Sequence, residues 1–533
     1  MQNTEVFKPA IDAVAGNLPL TALAGISPLL TFFLCLMGLK MKAHTSAAVS
    51  LVVALLVAIF GFRMPTDLAL LSMSEGIVFG LFPIVFIIWM AVWIYDLTVR
   101  ARRFEDLRQI FAALGRGDKR VQALLIAFSF GGLLEALAGF GAPVAIVTAM
   151  LLAIGLKPIK AVITTLVANT APVAFGAMAI PVTTASILSE RPLHDVASTT
   201  GLLMAILAAV VPFVLCFVLD GMRGFRQIWP VALVLGLTFS GGQFVASNYL
   251  TYELTNVVAS LLSLTVGIVF LKMWGPKTPD EQQSEVSATP LTKVGAALAL
   301  FPYLLVVVVF GVAKLWRLGV DLPAALAATD IKIPWPGLHG HLATNGTLFN
   351  FNWLSGPGTL LLLCGVVTTI VYSRADTSFK VSDGPRELID GLGRMKFSFL
   401  TIALVMGLAY VMNFSGQTTA IGAVLATTGS IFPAISPVLG WVGTAVTGSA
   451  TSSNALFASM QASTATQIGV DPTLLVSANA AGAVTGKMLS PQTVAIAAAA
   501  ANMDHGEAEI MKAIIGFSLG LLAFMCAVVF TLA

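Results

Sequence analysis

Residues 135–146 read EALAGFGAPVAI, from Glu135 to Ile146. They lie inside a long apolar run, Val121 to Leu156, and set one carboxylate beside Gly139, Gly141 and Pro143, where a lipid-facing helix carries leucines. Glycine and proline interrupt helices. Non-helical backbone at bilayer depth is tolerated only where protein or a water-filled cavity surrounds it. The run is therefore either a damaged span or a segment that enters, turns and leaves by the same side, and the choice decides the fold.

Around it, the 533-residue chain is 57% hydrophobic and 10% charged, against about 25% charged in soluble domains. Apolar runs of about twenty residues recur throughout, the mark of transmembrane helices. This composition predicts an all-α polytopic membrane protein. Twelve full crossings are expected, at 18–39, 46–62, 70–98, 161–187, 198–219, 228–249, 254–274, 294–316, 357–373, 397–414, 473–500 and 511–532. Two further apolar stretches, 121–156 and 435–466, are rich in Gly, Pro, Ser and Thr. The longest polar stretch, Trp274–Thr292, is linker-sized, so no separate soluble domain is expected.

The net charge of +3 is spread over loops and offers no face to nucleic acid. Cys35, Cys216, Cys364 and Cys526 lie in apolar runs and fit neither a disulfide framework nor a metal cluster. His339 and His341 stand in a Gly-rich loop with no Cys or acid cluster beside them, so neither metal nor cofactor is predicted. The first fifteen residues include Glu5 and Asp12, unlike a basic signal-peptide start.

Charge placement decides the two leftover stretches. Lys and Arg concentrate in cytoplasmic loops. The loop with Arg100, Arg102, Arg103, Arg108, Arg116, Lys119 and Arg120 is read as cytoplasmic. The next basic pair, Lys157 and Lys160, shares that side only if 121–156 turns back. With both stretches as re-entrant hairpins, only Lys8, Arg63, Arg191, Lys314, Arg317 and Lys332 of the 29 Lys and Arg face outside, and Lys487 alone remains within a span. Both termini then lie outside, with a long outer loop at 317–356 and inner loops at 274–293 and 374–396.

An internal repeat fits this arrangement. At an offset of 310, Ala168–Thr183 and Ala478–Thr493 share seven of sixteen residues, including Asn169/Asn479, Met178/Met488 and Pro181/Pro491. Each copy follows a hairpin. The expected organisation is a first inverted repeat over 1–226 with hairpin 121–156, two linking spans and a cytoplasmic loop over 227–293, and a second inverted repeat over 294–533 with hairpin 435–466. Inverted repeats with discontinuous helices near the midplane typify secondary transporters.

The candidate site follows from the breaks. Gly139, Phe140, Gly141 and Ala142 in one hairpin, and Gly448 with Ser449, Thr451, Ser452, Ser453 and Asn454 in the other, offer helix N-termini and hydroxyl or amide donors to an anion. Asn169, Thr170 and Asn479 sit mid-span, near the breakers Pro172 and Gly482, where freed carbonyls or the side chains can bind a cation or a hydroxyl. Lys487 must face a cavity, pair with an acid such as Glu135 or Glu75, or lose its charge, since an ionised lysine at the bilayer centre costs about 3 kcal/mol. Glu135, and more weakly Glu75, are the proton-coupling candidates; the bland alternative for Glu135 is an acceptor for loop N–H groups. Two matches are refused: Gly516–Gly520 fits G-x-S-x-G without its strand–turn–helix context, and Gly482–Met488 lacks phosphate-loop spacing. Residues 386–396 read as an interfacial helix.

The segments EALAGFGAPVAIVTAML (135–151), GSATSSNALFASMQ (448–461) and ANAAGAVTGKMLSPQ (478–492) resemble the L-lactate permease family, over essentially the whole chain. The resemblance implies a bacterial inner-membrane symporter that imports L-lactate, and in relatives D-lactate or glycolate, with a proton. It also implies similarity to a broader ion-transporter group with paired re-entrant hairpins. A small hydroxy acid needs a cationic or N–H-rich pocket for its carboxylate and an apolar wall for its methyl, for which Phe140, Met488 and Leu456 are the wall candidates. A sodium-coupled carboxylate carrier is the alternative reading. An intramembrane enzyme lacks a visible nucleophile–base pair or metal motif in the spans, and a channel is set apart by saturable uptake against a gradient.

Overall fold

Asn17 caps the first long helix, Leu18–Phe33, by accepting a hydrogen bond from the Leu20 N–H, and a proline in the first turn costs no hydrogen bond there. Leu20, Leu23 and Leu30 are exposed, whereas Thr21, Ala22 and Gly25 are buried. Small residues turned inward and leucines outward suit a helix packed on neighbours and bathed in lipid. The computed structural model containing it describes residues 6–533 apart from 104–105, 107–116, 140, 284–291, 318, 343–346, 377 and 504–505. Eleven helices among the described residues are long and apolar enough to cross a membrane, or twelve with one bent pair.

Each expected span has its helix or helix pair. Leu193–Tyr249 is broken at Asp220 and Gly221 and doubles back, bringing Gly201 against Ser247 and Gly236 against Ala209. It supplies two spans. The long loop expected at 317–356 carries a two-stranded antiparallel ribbon, Ile331–Pro334 with Leu348–Phe351, in the register Ile331↔Phe351. Residues 386–396 are the opening turns of the long helix Asp383–Phe414, not a separate interfacial helix. Trp89 and Trp93 hold them by donating to the Leu388 and Gly384 carbonyls at 2.8 Å.

The stretch that decides the fold turns back. Lys119–Leu124, Leu125–Phe130 and Gly131–Ala138 form one arm and Ala142–Ala153 the other. Gly131 faces Val147 across the arms, and at the root Lys119 lies over Gly155, so the chain leaves where it entered. The apolar window of Lys119–Leu137 is entirely buried, which excludes a lipid-facing role. The second hairpin pairs Phe432–Thr447 with Ala450–Ile468. Its arms are joined by Ser436 Oγ donating to Gln461 Oε1 (2.8 Å) and Gln461 Nε2 donating to the Ser436 carbonyl (3.0 Å).

A discontinuous span follows each hairpin. Pro158–Ala168 and Val173–Ser189 meet at 63°. The second, Pro472–Gly486, passes through Lys487–Leu489 into Pro491–Ala500. Gly482, expected as a breaker, lies inside an unbroken helix. A Cβ there would stand 1.7 Å from the Pro437 carbonyl oxygen, so this glycine serves the close approach of the hairpin arm. The interruption falls later, at Lys487–Leu489.

Candidate functional site

The two hairpin tips and the two interruptions converge on one small cavity of about 30 Å³, lined by Glu135, Gly139, Gly176, Ala177, Gly448, Ser449, Thr451 and Lys487, among others. That is room for a water molecule. The tips need glycine: Gly139 has φ +39° and Gly141 φ +91°, and a Cβ at Gly141 would stand 2.5 Å from Ile496 Cδ1. Gly176 leaves space for the carboxylate, since a Cβ there would stand 2.9 Å from Glu135 Oε1.

Glu135 and Lys487 meet in this cavity. Lys487 Nζ lies 2.7 Å from Glu135 Oε1, and Asn169 Nδ2 donates to Glu135 Oε2 at 2.9 Å. Glu135 is 2% exposed and Lys487 6%. Of the alternatives open for Lys487, the pairing with Glu135 is the one present. Two opposite charges in a water-poor site offset one another's desolvation, and removing either leaves the other uncompensated.

The predicted polar residues divide between cavity and scaffold. Ser449 and Thr451 line the cavity, and Ser449 Oγ also caps its helix by accepting from the Ser452 N–H at 3.2 Å. Ser453 turns into the hairpin and donates to the Gly440 carbonyl at 2.9 Å. Asn454 Nδ2 donates to the Pro181 carbonyl (2.8 Å), Asn479 Nδ2 to Asn454 Oδ1 (2.9 Å), and Gln461 Nε2 to Asn479 Oδ1 (3.4 Å). This amide chain stands behind the cavity. Thr170, in the turn just past Pro158–Ala168, donates its Oγ1 hydrogen to the Val167 carbonyl at 2.7 Å. Met488 and Leu456 are buried but do not line the cavity, and Phe140 lies outside the described residues. Ala142 begins the second arm of its hairpin. Glu75 is 1% exposed and away from the cavity, with no hydrogen-bond partner for Oε2 among the described residues.

The carbonyls freed by the first interruption are already occupied. Gln243 Nε2 donates to the Ala171 carbonyl at 3.0 Å and Asn256 Nδ2 to the Pro172 carbonyl at 2.5 Å. At the second, Ser518 Oγ donates to the Thr485 carbonyl (2.7 Å) and accepts from Trp441 Nε1 (2.9 Å). Sequence reading missed these residues. Gln243 and Asn256 were visible as solitary amides in apolar spans, a signal of a buried partner.

Larger cavities flank the centre. One of about 770 Å³ reaches the tips at Gly141, Gly448 and Ser449 and is lined also by Ser452, Gln492, Thr493, Lys40 and Lys42. The other, about 430 Å³, is lined by Glu190, Arg191, Tyr410 and Asn413 and by Ser459 and Ser463 of the second hairpin, and reaches neither tip. Of these two cavities, the lysine-bearing one reaches the tips among the described residues.

Comparison with known proteins gives a consistent picture. The sequence profile described as L-lactate permease matches residues 21–533. The L-lactate permease of Bacillus subtilis (strain 168) is 37% identical, over 99% of this chain and 98% of that protein. Glycolate permease GlcA of Escherichia coli (strain K12) is likewise 37% identical, over 99% and 98%. Among solved structures, the YdaH transporter of Alcanivorax borkumensis overlaps 86% of each chain with a TM-score of 0.46 and 16% identity, too distant to bear on activity.

Proposed function

This chain belongs to the L-lactate permease family, and we propose that it imports L-lactate and related small 2-hydroxy monocarboxylates, D-lactate and glycolate among them, by proton symport across the bacterial inner membrane. The names of its relatives support the substrate class. Both termini face outward in this reading, and the lysine-bearing cavity opens to the cytoplasm.

One observation carries the coupling: the Lys487–Glu135 pair lies where both hairpin tips and both interruptions meet. In the empty carrier, ammonium and carboxylate neutralise each other. An arriving lactate needs that ammonium for its own carboxylate. Two carboxylates pressed against one cation in a water-poor space favour protonation of one of them. Glu135 takes the proton, Lys487 turns to the substrate, and the site is neutral again. The empty and fully loaded carriers then have the same net charge. Either partly loaded form holds an unbalanced charge in low dielectric and is disfavoured, which makes the stoichiometry one proton per monocarboxylate. Ser449 and Thr451, which line the water-sized cavity beside the pair, would offer hydroxyls to the substrate once the cavity widens to admit it.

Sodium coupling draws less support. The carbonyls best suited to a cation, at Ala171 and Pro172, already accept from Gln243 and Asn256. In proteoliposomes, a pH gradient imposed without sodium should drive L-lactate accumulation. Accumulation that follows a sodium gradient at constant pH, and ignores the proton gradient, would overturn the coupling.

A further inference from the structure

The 770 Å³ cavity carries a charge pattern that the exchange at Glu135 and Lys487 does not use. Lys40, Lys42 and His44 line it, and no carboxylate does among the described residues. Phe397, 53% exposed, is the hub of the cluster. Lys42 Nζ stands 5.9 Å from its ring centroid and Lys396 Nζ 5.2 Å. His44 stacks on the same ring at 4.8 Å, with 18° between the planes. The neighbouring arginines are paired: Arg394 with Asp96 (2.5 Å) and Glu387 (3.7 Å), and Arg100 with Asp383 (3.1 Å). Among the described residues, no ion pair takes Lys40, Lys42 or Lys396.

We propose that Lys42 and Lys396, whose ammoniums stand over Phe397, together with Lys40 in the same cavity lining as Lys42, form a collecting site for small carboxylates in this cavity, holding the anion in transit between solution and the hairpin tips. The proposal rests on the symporter reading above. Like charges held near one ring repel one another, and an anion among them relieves that repulsion. A cleft lined by one sign of charge raises the local concentration of its counter-ion and speeds encounter by about tenfold or more. Lysine suits the task because its compact, hydrated ammonium on a flexible stem holds an anion loosely, whereas the arginine fork locks a carboxylate in place. The ring holds the Lys42 and Lys396 heads close together by cation–π attraction. At the hairpin tip, where Gly448 and Ser449 line both this cavity and the central one, the neighbouring groups are the neutral Ser452 and Gln492, so a collected anion is handed towards polar neutral groups.

The test is L-lactate exchange by K40Q/K42Q/K396Q in phosphatidylcholine proteoliposomes sorted by orientation, with the far side saturated. The half-saturating lactate concentration on the lysine-bearing face should rise about three- to tenfold, while that on the opposite face stays at the wild-type value. In the wild type this concentration should climb with ionic strength as screening sets in, and in the variant it should barely respond. K40R/K42R/K396R keeps the charge and should keep the salt response that the Gln variant loses, with a half-saturating concentration below that of the Gln variant. Unaltered half-saturation and salt response in the Gln variant, or equal rises on both faces, overturn the collecting site. So does a shift seen only when anionic lipid is added, which assigns the ammoniums to headgroups. Wild-type protein that exchanges no monocarboxylate removes the transport reading and this one together, whereas wild-type exchange with an unmoved variant removes this one alone.

Discussion

Lys487 Nζ and Glu135 Oε1 lie 2.7 Å apart although 352 residues separate them in the chain. The lysine sits at the interruption of the second discontinuous span, the glutamate beside the tip of the first hairpin. A reciprocal bond runs the other way, from Asn454 of the second hairpin to the Pro181 carbonyl of the first discontinuous span, at 2.8 Å. Each hairpin is thus tied to the other half's interrupted helix. A rearrangement that exposes the centre to the opposite face has to pull on both ties.

Replacing Glu135 by Gln separates binding from coupling. Glutamine keeps the shape and still offers an oxygen to Asn169, but it cannot gain or lose a proton. Lactate exchange at equal pH should persist at a reduced rate, while accumulation driven by a pH gradient should fall to the level of simple equilibration. Counterflow and gradient-driven uptake, measured on the same vesicles, check this. Full accumulation by the variant would take the coupling away from Glu135.

Lys487→Met removes the one cation that lines the cavity among the described residues. A hydrogen bond to a charged group is worth about 1.5–3 kcal/mol, so lactate affinity should fall by about ten- to a hundredfold. The single change also strands Glu135 as an unpaired buried acid, with a stability cost of about 3–5 kcal/mol. E135Q/K487M should therefore recover thermal stability relative to K487M without recovering lactate binding. Stability and affinity that return together would assign Lys487 to packing.

The span content and both turn-backs were legible, because hydropathy, small-residue enrichment and the placement of lysines and arginines are all properties of the linear chain. Partnership across halves was not. Glu135 and Lys487 each stood out as a charge at bilayer depth, with pairing and ligand binding both open, and only the fold places one against the other. Gly482 shows a second limit. A glycine inside an apolar helix signals either a break or a close approach, and here the Pro437 carbonyl occupies the space of its absent side chain. The cluster from Ser449 to Asn454 looked uniform, yet a helix rotates successive side chains by about 100°, so some reach the cavity and others the hairpin interior.

Gly141→Ala tests the tip geometry. Alanine must adopt φ +91° and place its Cβ 2.5 Å from Ile496 Cδ1. Backbone strain alone is of the order of 1–3 kcal/mol. Exchange should drop steeply while the protein still inserts. Adding Ile496→Val removes the clashing methyl and should restore part of the rate, the remainder being lost to the backbone. Equal activity of G141A and wild type in counterflow would mean that the tip is looser than this packing requires.

Arg120 anchors the root of the first hairpin, and its loss should be felt as stability before transport. It is 1% exposed and Asp118 is fully buried. Its guanidinium donates to both Asp118 oxygens (3.1 and 2.8 Å), to Asp220 and Gln227 (2.7 Å each) and to the Lys277 carbonyl (3.4 Å). These partners come from the hairpin itself, from the turn of Leu193–Tyr249 and from the following polar loop, so one side chain pins the hairpin to two other parts of the chain. Arg120→Met leaves Asp118 charged, buried and short of its counter-ion, which costs about 3–5 kcal/mol. Arg120→Lys keeps the charge but has three donors in place of the five-donor fork, so it should recover only part of the loss. Thermal unfolding of detergent-solubilised protein should rank wild type above R120K and R120K above R120M. The fraction of R120M that remains folded should exchange lactate with a wild-type half-saturating concentration, because the pair at Glu135 and Lys487 is untouched. A melting temperature in R120M equal to the wild type would mean that the donors left to Asp118, the residue 120 N–H (2.9 Å) and Thr278 Oγ1 (3.0 Å), suffice without the guanidinium.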